Sequence, residues 1–164
     1  MKKAITSVVL ILPMLVLAQG KAEKKFEYSI ELSGTKETVW NAITDISTFS
    51  VWDNNVVAVQ CPELKKNQNC KVITGPGKIV AVEIVEYQPG ESYTVRYKLS
   101  SGNMYIQRKF TASTPLELTE TVWYKGISKN TFEKYKGTSY QDTLKTRLTK
   151  FKTFMDSVAA NEER

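Results

Sequence analysis

The stretch "MYIQRKFTASTPLELTETVWY", residues 104–124, decides the fold. It reads as two strands joined by a Ser113-Thr114-Pro115 turn. Alternate residues of a strand share one face, and one parity here carries Met104, Ile106, Phe110, Ala112, Leu116, Leu118, Val122 and Tyr124. That face packs against a core. Arg108 and Glu120 fall on the same apolar parity. Setting Ala112 opposite Leu116 puts Phe110 opposite Leu118, Ile106 opposite Val122, Met104 opposite Tyr124 and Arg108 opposite Glu120. The two charges are then cross-strand neighbours within reach of an ion pair.

Working outward, "SYTVRYKL" precedes this hairpin across a turn near Ser101-Gly102, which sets Tyr97 opposite either Ile106 or Arg108. Both registers place Tyr93, Val95, Tyr97 and Leu99 on the inner face, because a slip of two residues keeps the face and a slip of one reverses it. Before it, across Pro89-Gly90, "GKIVAVEIVEY" offers Val80, Val82 and Ile84 as inner residues, and "VVAVQC" and "CKVIT" supply two further strands. "KFEYSIEL" alternates Phe26, Tyr28, Ile30 and Leu32 and opens the series. A cap-like Ser33 to Thr35 then leads into "KETVWNAIT", whose Val39, Trp40 and Ile43 have helical spacing. "STFSVWDNN" adds a second short turn of helix that breaks at Asp53-Asn54-Asn55. From Ser139, the stripe Tyr140, Leu144, Leu148, Phe151, Met155 and Val158 marks one long amphipathic helix, with Thr138 and Gln141 as a capping box at its start. The order is strand, two short helices, six strands, long helix. No repeat or low-complexity segment interrupts it, so one domain is expected over residues 24–160.

The chain has 164 residues, enough for one sizeable core. Lys2 and Lys3 precede "AITSVVLILPMLVLA", an apolar run of 15 residues ending in Val16-Leu17-Ala18. A spanning helix needs about 20 apolar residues, so residues 1–18 are expected to be a cleaved signal peptide followed by a short tail at 19–23. Cleavage after Gly20 is the alternative. With no cysteine beside either site, a lipoprotein anchor is not expected, and the mature protein is exported to a bacterial periplasm or secreted. Without that segment 21 basic residues face 17 acidic ones. This mild, dispersed charge and the compartment argue against a nucleic-acid partner. Lys134, Lys136, Lys145, Lys150 and Lys152 offer weak contact with an anionic membrane surface, or simply a solvated helix face. Cys61 and Cys70 flank the polar loop "PELKKNQN". An even cysteine count in an oxidising compartment reads as a disulfide. A metal site is not expected, since the chain has no histidine to complete a usual zinc set.

The segment "KFEYSIELSGTKETVWNAITDISTFSVWDNNV" resembles the opening of the START-like helix-grip superfamily, which includes the polyketide cyclase/dehydrase, birch-pollen allergen and coenzyme-Q-binding groups. Val39-Trp40, Ile43-Thr44-Asp45 and Trp52 carry the resemblance, and the order of elements extends it over nearly all the mature chain. It implies an α+β helix-grip fold, a curved seven-stranded antiparallel sheet wrapped around a long C-terminal helix, with two short helices after the first strand. It also implies a ligand cavity between sheet and helix.

On that footing the expected ligand-binding residues are Val82, Tyr93, Val95, Tyr97, Ile106, Arg108, Glu120 and Tyr124 of the sheet, with Leu144 and Leu148 as roof. Trp52 stands at the cavity mouth as lid or packing residue. Trp40 belongs to the core, and Trp123, on the outer parity, to a surface or edge. Arg108–Glu120 is either a satisfied pair near the rim of the sheet, or the polar end of the cavity where Arg108 meets an acidic or carbonyl-bearing head group. Without histidine, Ser-His-Asp and Cys-His catalysis are ruled out, and "GPGK" at 75–78 is a hairpin turn, lacking the Ser/Thr and helix of a phosphate loop. No cofactor is implied. Three functions follow. The first is an exported binding or carrier protein for a small hydrophobic molecule such as a lipid, isoprenoid or aromatic compound. The second is a cyclase, hydratase or isomerase with Glu120 as base and Arg108 stabilising an enolate. The third is an interaction module with a filled core, working through Trp123 and the basic loop "KGISKNTFEKYKG".

Overall fold

The computed structural model describes residues 25–111, 114–128, 130 and 140–162. The expected leader and tail, Ala112 and its turn, most of the basic loop, and Thr138 of the capping box lie outside the described residues. The strands are β1 (Lys25–Leu32), β2 (Val56–Gln60), β3 (Asn69–Thr74), β4 (Ile79–Gln88), β5 (Ser92–Leu99), β6 (Gly102–Thr111) and β7 (Leu116–Lys125). The helices are α1 (Lys36–Thr44), the short α2 (Phe49–Trp52) and the long α3 (Tyr140–Glu162), with a single 3-10 turn at Ile46–Thr48 between α1 and α2. The seven strands form one curved antiparallel sheet in the order β1-β7-β6-β5-β4-β3-β2. It is the helix-grip arrangement.

Local chemistry explains the boundaries. Thr35 caps α1, its Oγ1 accepting from the Thr38 N–H at 3.1 Å. Asp45 ends that helix and opens the next turn, its Oδ1 accepting from the Ser47 N–H at 3.0 Å. Asp53 repeats the device after α2, accepting from the Asn55 N–H at 3.1 Å, and so turns the chain into β2.

The β6–β7 register is the one parity predicts, with Phe110 opposite Leu118 and Arg108 opposite Glu120. The β5–β6 register differs from expectation: Tyr97 lies opposite Met104. Gly102 is the reason. It is the first residue of β6 rather than part of the turn, at φ +137°, and a Cβ there would stand 2.5 Å from the Lys125 carbonyl oxygen. The shift is two residues from the nearer register, so the inner face survives. In β4 the pairing steps between Ile84 and Glu86, a bulge that carries Tyr87 to the inner side opposite Tyr93. Trp123 is on the outer face, but β7 is an interior strand; the indole stacks on Tyr105 at 5.2 Å between centroids.

The inner face and α3 bury two apolar clusters. One joins Phe110 and Leu118 to Trp40, Trp52, Tyr93, Leu148 and Phe151. The other joins Met104, Ile106, Val122 and Tyr124 to Tyr140 and Leu144. On β6, β7 and α3 alike the boundary between clusters falls at a charge: Arg108, Glu120 and Arg147. All three are buried.

Candidate functional site

A burial of three charges demands pairing, since an unpaired ion in the interior costs several kcal/mol. The pairing is complete and alternates in sign. Arg108 donates through Nε to Glu120 Oε2 at 2.7 Å. Arg147 donates through Nη2 to Glu120 Oε1 and reaches Asp53 Oδ2 through Nη1 at 3.5 Å. Asp53, itself 5% exposed, comes from the turn after α2. The cluster therefore ties β6, β7, α3 and the α2–β2 turn together.

Arg108 also donates to the Tyr93 hydroxyl at 2.6 Å, and that hydroxyl donates to the Ile43 carbonyl at 3.2 Å. The guanidinium carbon lies 4.9 Å from the Trp52 ring centroid, 5.5 Å from Phe49 and 5.6 Å from Tyr93, within the range of cation–π attraction. Burial alone would raise the Glu120 pKa, but the Arg147 and Arg108 guanidiniums outweigh it and hold the carboxyl below its ordinary value. Burial raises the Tyr93, Tyr97, Tyr124 and Tyr140 hydroxyls, so these act as neutral phenols.

On the Arg108 side lies a narrow apolar cavity of about 30 Å³, room for about two water molecules. Val82, Tyr93, Val95, Tyr97, Ile106 and Arg108 all line it, with Ile46 and Phe49 of the short helices over it. Cys61 and Cys70 are joined in a disulfide that forms part of its wall. On the Arg147 side lies an open cleft of about 280 Å³ between Trp52–Asn55 and the first turns of α3.

The residues picked from sequence divide accordingly. Val82, Tyr93, Val95, Tyr97, Ile106 and Arg108 come together around the cavity. Glu120 sits behind it, anchoring Arg108. Leu144 and Leu148 fill core, and the cavity's cover comes from the short helices instead. Tyr124 packs in the other cluster, at 6.1 Å from the Tyr140 ring. Trp52 is fully buried between Phe49 and Phe151, at 4.8 and 5.1 Å, and separates cavity from cleft. Arg147 and Asp53 complete the cluster; neither is among the ligand-binding residues expected from the sequence, although Asp53 is a residue that folding could bring to Glu120, and here it reaches Glu120 only through Arg147. Among the described residues no group of acidic or cysteine side chains is placed to hold a metal ion.

A curved sheet gripping a terminal helix, with an internal apolar cavity on its concave side, defines the helix-grip class. Residues 23–153 match the family of polyketide cyclase / dehydrase and lipid transport proteins, and the chain belongs to that family. Solved structures share the fold at low identity. A protein from Mesorhizobium loti is 11% identical with a TM-score of 0.69, over 82% of this chain and 98% of its own. The major latex-like protein 151 of Panax ginseng is 13% identical with a TM-score of 0.65, over 81% of this chain and 97% of its own. The di-domain ARO/CYC protein of the steffimycin biosynthetic pathway is 14% identical with a TM-score of 0.62, over 83% of this chain and 52% of its own. No curated protein matches the sequence.

Proposed function

We propose that this protein is an exported carrier for a small hydrophobic molecule, a lipid, isoprenoid or aromatic compound, held between the inner face of β3–β6 and the short helices. The observation that carries the reading is the cavity itself: an apolar wall of Val82, Val95 and Ile106 with Tyr93, Tyr97 and a single guanidinium, Arg108, as its polar features. A ligand larger than the present cavity requires Ile46 and Phe49 to swing aside, a loop-scale adjustment of the kind binding commonly induces. Trp52, Glu120, Tyr124, Leu144 and Leu148 support the site from behind. The cyclase reading is weaker, because both Glu120 oxygens are engaged by guanidiniums and its carboxylate is held ionised, a poor general base.

Export is supported by the Cys61–Cys70 disulfide, which suits an oxidising compartment, and by the apolar run after Lys2 and Lys3. No helix among the described residues is long and apolar enough to cross a membrane. N-terminal sequencing of protein recovered from the periplasmic or culture fraction should begin at Gln19 or Lys21.

Native mass spectrometry of detergent-free protein should reveal a reproducible adduct of small-molecule mass. After solvent extraction, N-phenyl-1-naphthylamine should bind saturably, and Ile106→Trp, which fills the cavity, should abolish that binding while the protein stays folded. Neither an adduct nor saturable binding in the wild type would overturn the carrier reading.

A further inference from the structure

We propose that the cavity selects compact hydrophobic molecules whose polar end is an uncharged acceptor, such as a ketone, quinone or ester carbonyl, and rejects carboxylates of the same shape. The inference rests on the carrier reading above and narrows it to a ligand class.

A lone arginine in an apolar cavity would ordinarily recruit an anion. Here its charge is already matched. Arg108 holds Glu120 Oε2 at 2.7 Å, Glu120 Oε1 is held by Arg147, and Arg147 reaches Asp53 at 3.5 Å. Two guanidiniums and two carboxylates sum to no formal charge, and all four residues are no more than 6% exposed. A ligand carboxylate would bring a fifth charge, without a counter-ion, into a region that water does not screen, and such a charge is strongly disfavoured.

A carbonyl oxygen asks less. It needs a donor and brings no charge. Arg108 has five N–H donors, of which Nε serves Glu120 and Nη1 serves Tyr93. Tyr97 also lines the cavity, and its phenol, kept neutral by burial, is a donor that brings no charge. The rings of Trp52, Phe49 and Tyr93 crowd the guanidinium, so it cannot leave Glu120 to follow a ligand anion without losing those contacts as well.

The test is a pair of near-isosteric probes, 2-acetylnaphthalene and 2-naphthoate, titrated separately into the disulfide-bonded protein near neutral pH. Binding is followed by ¹H–¹⁵N NMR shifts of cavity residues. The ketone should bind at least about tenfold more tightly. Asp53→Asn removes one negative charge of the cluster while leaving the residues of the cavity wall in place, so it should move the ratio towards naphthoate. The wild-type comparison stands by itself if that variant does not fold. Equal or tighter binding of naphthoate to the wild type overturns the selectivity and leaves the carrier reading intact. Failure of both probes to shift cavity resonances overturns the carrier reading, and the selectivity with it.

Discussion

Two arginine–glutamate pairs bridge neighbouring strands of this sheet, one on each face. Arg96 joins Glu83 across β5 and β4 on the outer face, with side chains 29% and 19% exposed. Arg108 joins Glu120 across β6 and β7 on the inner face, at 4% and 0%. The residue types and cross-strand placement are the same, but the surroundings reverse their meaning. Water can solvate a freed partner outside; inside, a freed partner is an unpaired ion. The outer pair is an ornament of the strand surface. The inner pair is part of a four-charge cluster whose opposite charges must stay matched.

Removing one inner carboxylate should have the largest effect. Glu120→Ala leaves Arg108 and Arg147 with Asp53 alone and should cost about 3–5 kcal/mol in urea denaturation. The double change Arg108→Met with Glu120→Leu removes opposite charges together and leaves Arg147 paired to Asp53, so it should cost much less. Equal losses for single and double variants would break the contrast between faces. The cluster also predicts a pH signature. The folded Glu120 carboxyl titrates below the ordinary value of 4.5, so its ionised form favours folding. That contribution is present above about pH 4.5 and is lost as pH falls through the folded value; Glu120→Gln should remove this part of the acid dependence of the denaturation midpoint.

Next in size is the disulfide. Cys61→Ala with Cys70→Ala should lose about 2–3 kcal/mol, since the bridge closes a loop of nine residues' separation. Smallest is the outer pair: Glu83→Ala should cost about 1 kcal/mol or less, and the loss should shrink further in high salt. A salt-insensitive loss at Glu83 as large as that at Glu120 would show that sidedness does not set the energetics.

Period-two alternation made most of the sheet legible, because burying one face forces every inner residue onto one parity. Arg108 and Glu120 stood out as exceptions to it. Arg147 breaks the helical pattern in the same way, three residues after Leu144 and one before Leu148, but a stripe read for its apolar members passes over the cation among them. Asp53 reads in the sequence as a helix breaker, and nothing in its local sequence says that its second oxygen turns inward to α3. The β4 bulge left no signal either, since Val85 and Tyr87 are both compatible with either face until Tyr93 is known to pair there. The cover of the cavity depends on how far the short helices lean over β2–β6, a packing outcome that no periodicity encodes.

The placement of β1 beside β7 has a consequence for how the chain comes to its shape. Lys25 pairs with Trp123, so the first strand waits for almost the whole sheet to be made before it has a neighbour. Contacts so distant in sequence are slow to form, because a long loop must close before they contribute anything. During synthesis β1 therefore stays unpaired until Lys125 has emerged, and a chain cut before β7 cannot close the grip. A polypeptide that remains open for so long would suit the export proposed above, since an unpaired chain can pass a narrow channel before its last strand pairing forms.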